Sequence, residues 1–229
     1  MNKYLQKCPF SYDKSIRTRL KSVGNAPKID RYIKEIVGTA ECLLGYDSIH
    51  SVILFGSIAH RQTARVSDVD LLIIVKNSIS QNSIKKIKPI LDAIEIKHEF
   101  GRYAEKWYSS ILRVVEKTTG MFCSHFVCRL EDWDCANFAN IFSTNRSLTY
   151  LLAPDEIVLG SMKSSAVLLA GDADLSNKKR VYPRKQLIKS LFMNLSISIG
   201  ALVIMPLNPR NMKYVLESYK WSLQSAYFF

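Results

Sequence analysis

The sequence is short of several things, and each shortage excludes a class of protein. Nine glycines and seven prolines in 229 residues rule out a collagen-like or low-complexity chain. Acids are scarce, 20 Asp+Glu against 32 Lys+Arg for a net charge of +12. That excess favours an anionic partner, whether nucleic acid, a triphosphate or a membrane surface, without choosing among them. Met1 to Cys8 holds no apolar run of signal-peptide length, so a cytoplasmic location is expected. The five cysteines are odd in number and scattered, unlike a disulfide framework, and reduced thiols are expected. The apolar stretch Leu191–Leu207 runs for seventeen residues, short of the roughly 20 that span a bilayer. Asn194, Ser196, Ser198, Gly200 and Pro206 dilute it further, so it reads as a buried helix, and no membrane partner is expected.

What is present is an ordinary globular composition, 48% hydrophobic and 23% charged, long enough for a sizeable core. The charge is unevenly placed. Residues 1–37 carry nine Lys/Arg against three acids and residues 177–229 nine against one, while 38–176 carry fourteen against sixteen. Basic flanks therefore bracket a slightly acidic centre. Within it, apolar positions from Lys28 to Leu44 recur at helical spacing. Ser51–Phe55 and Val69–Val75 read as buried strands. Ser80 to Asp92 reads as a Lys-rich amphipathic helix, and Ala93–Phe100, which alternates apolar and polar, as a strand with one buried face. This is a compact α/β unit. A helix over Glu105–Glu116 and a strand within Met121–Leu130 follow. Pro154-Asp155-Glu156 looks like a helix start, and Lys185–Val203 and Asn211–Tyr227 read as two long helices.

The chemistry concentrates between Leu54 and Ile73. On a strand, Asp68 and Asp70 share a face about 6–7 Å apart. Two carboxylates opening an otherwise apolar strand are costly to bury unpaired, and hard divalent cations are their natural partners. In a two-metal site such carboxylates hold ions that serve both the attacking hydroxyl and a polyphosphate leaving group. Gly56 permits close backbone approach or a positive φ, and Ser57 offers a hydroxyl and nearby amides to an anion. Phosphate binding on one side and metal on the other suits phosphoryl transfer.

Phe55-Gly56-Ser57 followed by Ser67-Asp68-Val69-Asp70-Leu71 resembles the signature of the polymerase-beta-like nucleotidyltransferase superfamily, especially its minimal and antibiotic-modifying branch. The resemblance covers about residues 30–100. Ala59-His60-Arg61 departs from it, since many relatives carry a glycine there. It implies an α/β (α+β) nucleotidyltransferase domain with a mixed sheet over residues 1–150, preceded by a basic leader, and a mainly helical domain over 151–229. It also implies transfer of an NMP from an NTP, with ATP expected, to a hydroxyl acceptor, with release of pyrophosphate and two Mg²⁺ ions. Asp68 and Asp70 would be catalytic and metal-holding, with a third carboxylate on a neighbouring strand. Glu95 is favoured for that role over Glu99. Gly56, Ser57, Arg61, Ser67 and, from the helical part, Lys185 would contact the nucleotide. The acceptor, whether small molecule, RNA or protein, stays open, and the alternative is a non-catalytic, antitoxin-like module binding nucleotide or RNA on the same fold.

Weaker features accompany the motif. Cys123, His125, Cys128 and Cys135 lack the paired close spacings of a zinc site. His60 and His98 fall near the motif in sequence, Glu217 is a candidate general base, and the basic cluster 178–185 is interleaved with aromatics that suit stacking on a base.

Overall fold

The computed structural model describes residues 15–23, 27–59, 69–100, 124–176 and 182–204, together with 215, 216, 218, 219, 222 and 223, which are helical. The chain divides into two compact units. One comprises residues 1–104, 122–142 and 165–175, the other 105–121, 143–164 and 176–229.

The first unit is built on a four-stranded mixed sheet, as expected. Helix α1 (Pro27–Leu44) precedes strand β1 (Ile49–Phe55), the short helix α2 (Gly56–Ala59) and strand β2 (Asp70–Val75). Helix α3 (Gln81–Lys97) and strand β3 (His125–Arg129) follow, then the short helices α4 (Leu130–Asp134) and α5 (Phe138–Ile141) and strand β4 (Val167–Ala170). The strand order is β3-β2-β1-β4. β1 runs antiparallel to β2 and β4, and β2 runs parallel to β3.

Strand alternation gives the sheet two different faces. Val52, Leu54, Leu71, Ile73, Val75 and Val127 join one aliphatic core with Tyr32, Ile33, Ile36, Val37 and Ala40 of α1 and Ile84, Ile87, Leu91 and Ile94 of α3. Both helices carry their buried residues at three- and four-residue spacing, so each lays one stripe on the sheet. The intervening strand residues turn to the opposite face. There Phe55 meets Phe126 at 6.1 Å between ring centroids, and Phe126 meets Phe142 edge-on at 4.9 Å.

The strand expected at Ala93–Phe100 is corrected. Residues 93–97 are the end of α3, capped at its start by Ser80, whose hydroxyl accepts from the Ser83 amide. Alternation over so few residues fits either period. Ile94 extends the series Ile84, Ile87, Leu91, so helical burial decides, even across Pro89. The helix stops where Glu99 takes a φ of +61° and the Phe100 amide returns to the Glu95 carbonyl at 3.1 Å. The third strand of the sheet is β3, inside the stretch 121–130 read as a strand.

β4 lies beyond residue 150 and still belongs to the sheet, so the chain returns to its first unit after the boundary drawn there. Its exit is fixed by Ser51, fully buried on β1, whose hydroxyl accepts from the amides of Asp172 at 3.1 Å and Ala173 at 3.0 Å. Gly171, with a φ of +86°, leaves no room for a side chain against the backbone of His50 and Ser51.

The second unit contains α6 (Arg146–Leu152), α7 (Asp155–Ser165) and α8 (Arg184–Ile204). α7 begins at the Pro-Asp-Glu start, its two acids in the first turn. Gln186 of α8 donates to Asp155 at 2.8 Å. The helix expected over Lys185–Val203 is present, but Ile188, Phe192, Leu195 and Ile199 are exposed on it, while Gln186, Ser190 and Asn194 are buried. No helix among the described residues is long and apolar enough to cross a membrane.

Candidate active site

β1 delivers the chain to Gly56, which has a φ of +76° and opens α2. β2 begins at Asp70, paired with Phe55. A Cβ at position 56 would collide with the Asp70 carboxylate, so glycine is required twice, for the backbone conformation and for the space. Asp70 is half-buried at the mouth of a strand whose remaining residues, Leu71 to Val75, are all buried. Pairing with Phe55 places Asp70 on the aromatic face of the sheet. A carboxylate held there by a close-fitting turn is a hard oxygen donor, the type that Mg²⁺ prefers. Among the expected nucleotide and metal contacts, Arg61, Ser67 and Asp68 lie outside the described residues, as does the side chain of Ser57. His60 and Glu217 also lie outside them.

Glu95 is not beside Asp70. It belongs to α3, on the aliphatic face, and its Oε2 lies 2.9 Å from His125 Nδ1. The expectation that Glu95 lies on a neighbouring strand as the third acid is corrected here. The described strands contribute no carboxylate besides Asp70, and the register Leu71↔His125 sets buried Ser124 opposite Asp70 on the β3 side. Glu99 is also remote, exposed and paired with Lys28 at 2.8 Å. His98 is buried at the end of α3 with Nε2 2.8 Å from Glu35 and its ring edge-on to Tyr32. Lys185 lies in the second unit, its ammonium 5.4 Å from the centre of the Tyr150 ring, beside Lys189 at 5.3 Å.

Among the described residues the cysteines differ in state. Cys128 is two-faced from His125 by strand alternation and is buried, and burial together with Asp132 and Asp134 pushes its thiol far above the ordinary range. Cys128 and Cys135 are free, whereas Cys42 is disulfide-bonded, against the reduced thiols expected throughout.

A cluster without any sequence motif lies under α3. His125 Nε2 is 3.2 Å from Asp92 Oδ1, opposite the Glu95 contact to Nδ1. Burial acts to lower the His125 pKa, but the Asp92 and Glu95 carboxylates outweigh it and raise it above the ordinary value. The i, i+3 spacing of Asp92 and Glu95 on one helix was hidden by reading Ala93–Phe100 as a strand. Their meeting with His125 was not readable, because it depends on the parallel pairing of β3 with β2.

Residues 39–106, from within α1 to past α3, match the model of the family described as polymerase beta, nucleotidyltransferase. The matched segment holds the Gly56 turn and both strands of the motif. No curated protein and no solved structure matches the chain significantly.

Proposed function

We propose that the chain is a Mg²⁺-dependent nucleotidyltransferase that moves an NMP from an NTP, ATP by expectation, to a hydroxyl acceptor. The observation that carries the reading is the fit of the Asp70 carboxylate against the positive-φ turn at Gly56. That fit gives a reason for both halves of the motif to be glycine and aspartate. Asp68 and Asp70 would hold Mg²⁺, two ions by the family resemblance. When bound, it would neutralise the triphosphate and its leaving group. The Gly56-Ser57 backbone, with Arg61 and Ser67, would seat the phosphates, and Lys185 is the nucleotide contact expected from the helical part. In the transfer the acceptor oxygen bonds to the α-phosphorus, the bond from that phosphorus to the bridging oxygen breaks, and pyrophosphate leaves. The acceptor proton would pass to a carboxylate of the Asp68/Asp70 pair acting as general base.

A second reading, a non-catalytic module binding nucleotide or RNA, is favoured by one observation. The described part of β3 offers no third carboxylate. The two readings separate when the protein is incubated with each α-labelled NTP, Mg²⁺ and a panel of RNA, protein and small-molecule acceptors. Label transfer, lost on the order of 10²-fold or more in Asp70→Asn, supports the enzyme. NTP binding without transfer to any acceptor supports the module, and label transfer unchanged in Asp70→Asn sinks the assignment of the site.

A further inference from the structure

We infer that Asp92, Glu95 and His125 form a binding site for a divalent transition-metal ion of the zinc type, separate from the Asp70 site and on the opposite face of the sheet. One ligand atom from each of the three lies within 4.8 Å of the others, the scale of a shared ion. His125 is 3% exposed, and neither of its ring nitrogens makes an aligned hydrogen bond. The carboxylates stand at ion-pair distance but off the line of the ring nitrogens' lone pairs or hydrogens. A buried imidazole whose nitrogens make no aligned hydrogen bond, beside two carboxylates, has a nitrogen lone pair to offer a metal ion.

Charge balance points the same way. One imidazolium between two carboxylates leaves a net negative charge where His125 and Glu95 are both buried. A divalent ion with a neutral imidazole and the same two carboxylates sums to zero. Imidazole selects against Mg²⁺ and Ca²⁺, whose preference is for oxygen, and among divalent ions with mixed N/O ligands Zn²⁺ binds more tightly than Mn²⁺. Asp92 is the solvent-side ligand, its side chain 48% exposed, and provides the route of entry. Three protein ligands leave a tetrahedral ion one position for water.

The test uses the full-length chain, stripped with chelator, in the Asp70→Asn background so that metal at the nucleotide site does not contribute. Titration with Zn²⁺ alone, followed by calorimetry and by the unfolding midpoint, is expected to show saturable one-to-one binding and a raised midpoint, with Mn²⁺ weaker and Mg²⁺ weaker still. Asp92→Ala, at a half-exposed position, should fold and lose at least tenfold in Zn²⁺ affinity, and His125→Asn should lose more. Absence of saturable Zn²⁺ binding, or the same affinity in Asp92→Ala, would overturn the site and leave the three groups as an ion-pair clamp between α3 and β3.

Discussion

The two faces of one sheet carry polar groups in opposite ways. On the aromatic face Asp70 sits half-buried at a strand end beside a glycine turn. On the aliphatic face His125 and Glu95 are enclosed under α3, with Asp92 alone reaching water. A carboxylate at an edge can exchange partners during a reaction. One enclosed with an imidazole is committed to its partner, because separating them leaves a buried charge uncompensated. The first arrangement is therefore suited to turnover and the second to holding elements together. This also explains why Glu95, a plausible third acid by its position in the sequence, cannot serve the site that Asp70 serves.

The sharpest way to break the comparison is to disturb the turn. Gly56→Ala introduces a Cβ where Asp70 lies and strains a positive φ, so nucleotidyl transfer should fall by on the order of 10²-fold, with a stability loss of about 1–3 kcal/mol. Steady-state label transfer and denaturant unfolding measure the two effects, and full activity in this variant would show that Asp70 need not sit where it does. On the other face, His125→Leu should cost about 3–5 kcal/mol by leaving Glu95 buried without its partner. The double change with Glu95→Leu should recover much of that loss in urea melts. A smaller effect is expected at the far edge. Ser51→Ala removes the acceptor of two amides, that of Ala173 buried, and should cost about 1–3 kcal/mol, loosening β4 in hydrogen exchange before the rest of the sheet.

The smallest effect is a pH dependence at the surface of α1 and α3. Burial pushes the Glu35 carboxyl up, but Lys97 and His98 outweigh it and hold it below its ordinary value of 4.5. A lowered folded pKa stabilises above the unfolded value and loses that contribution as pH falls through the folded one. The wild-type advantage over Glu35→Gln should accordingly be full above pH about 5 and shrink below 4.5, read from paired thermal melts. An advantage that grew on acidification would reverse the sign.

How much was legible follows the range of the interaction. α1, β1, β2 and the start of α3 were readable because each is fixed by local apolar patterning, and α8 because it is a long apolar run, although which of its residues are buried was not. Gly56 and Asp70 were readable because they flank consecutive strands that pair antiparallel, close in sequence and space. Ala93–Phe100 misled because two periods fit so short a window, and the core contact of Ile94 settled it. β4 gave no signal, being four residues without a repeating pattern, placed by pairing with β1.

The sequence by itself determined that a glycine turn and an acidic strand start lie close together in a segment resembling a nucleotidyltransferase family, and that more basic stretches flank it along the chain. Only the tertiary structure decided which acids share that site. Strand parity and the parallel pairing of β3 send Glu95 and His125 to the other face, and no spacing along the chain records which face a distant strand will present.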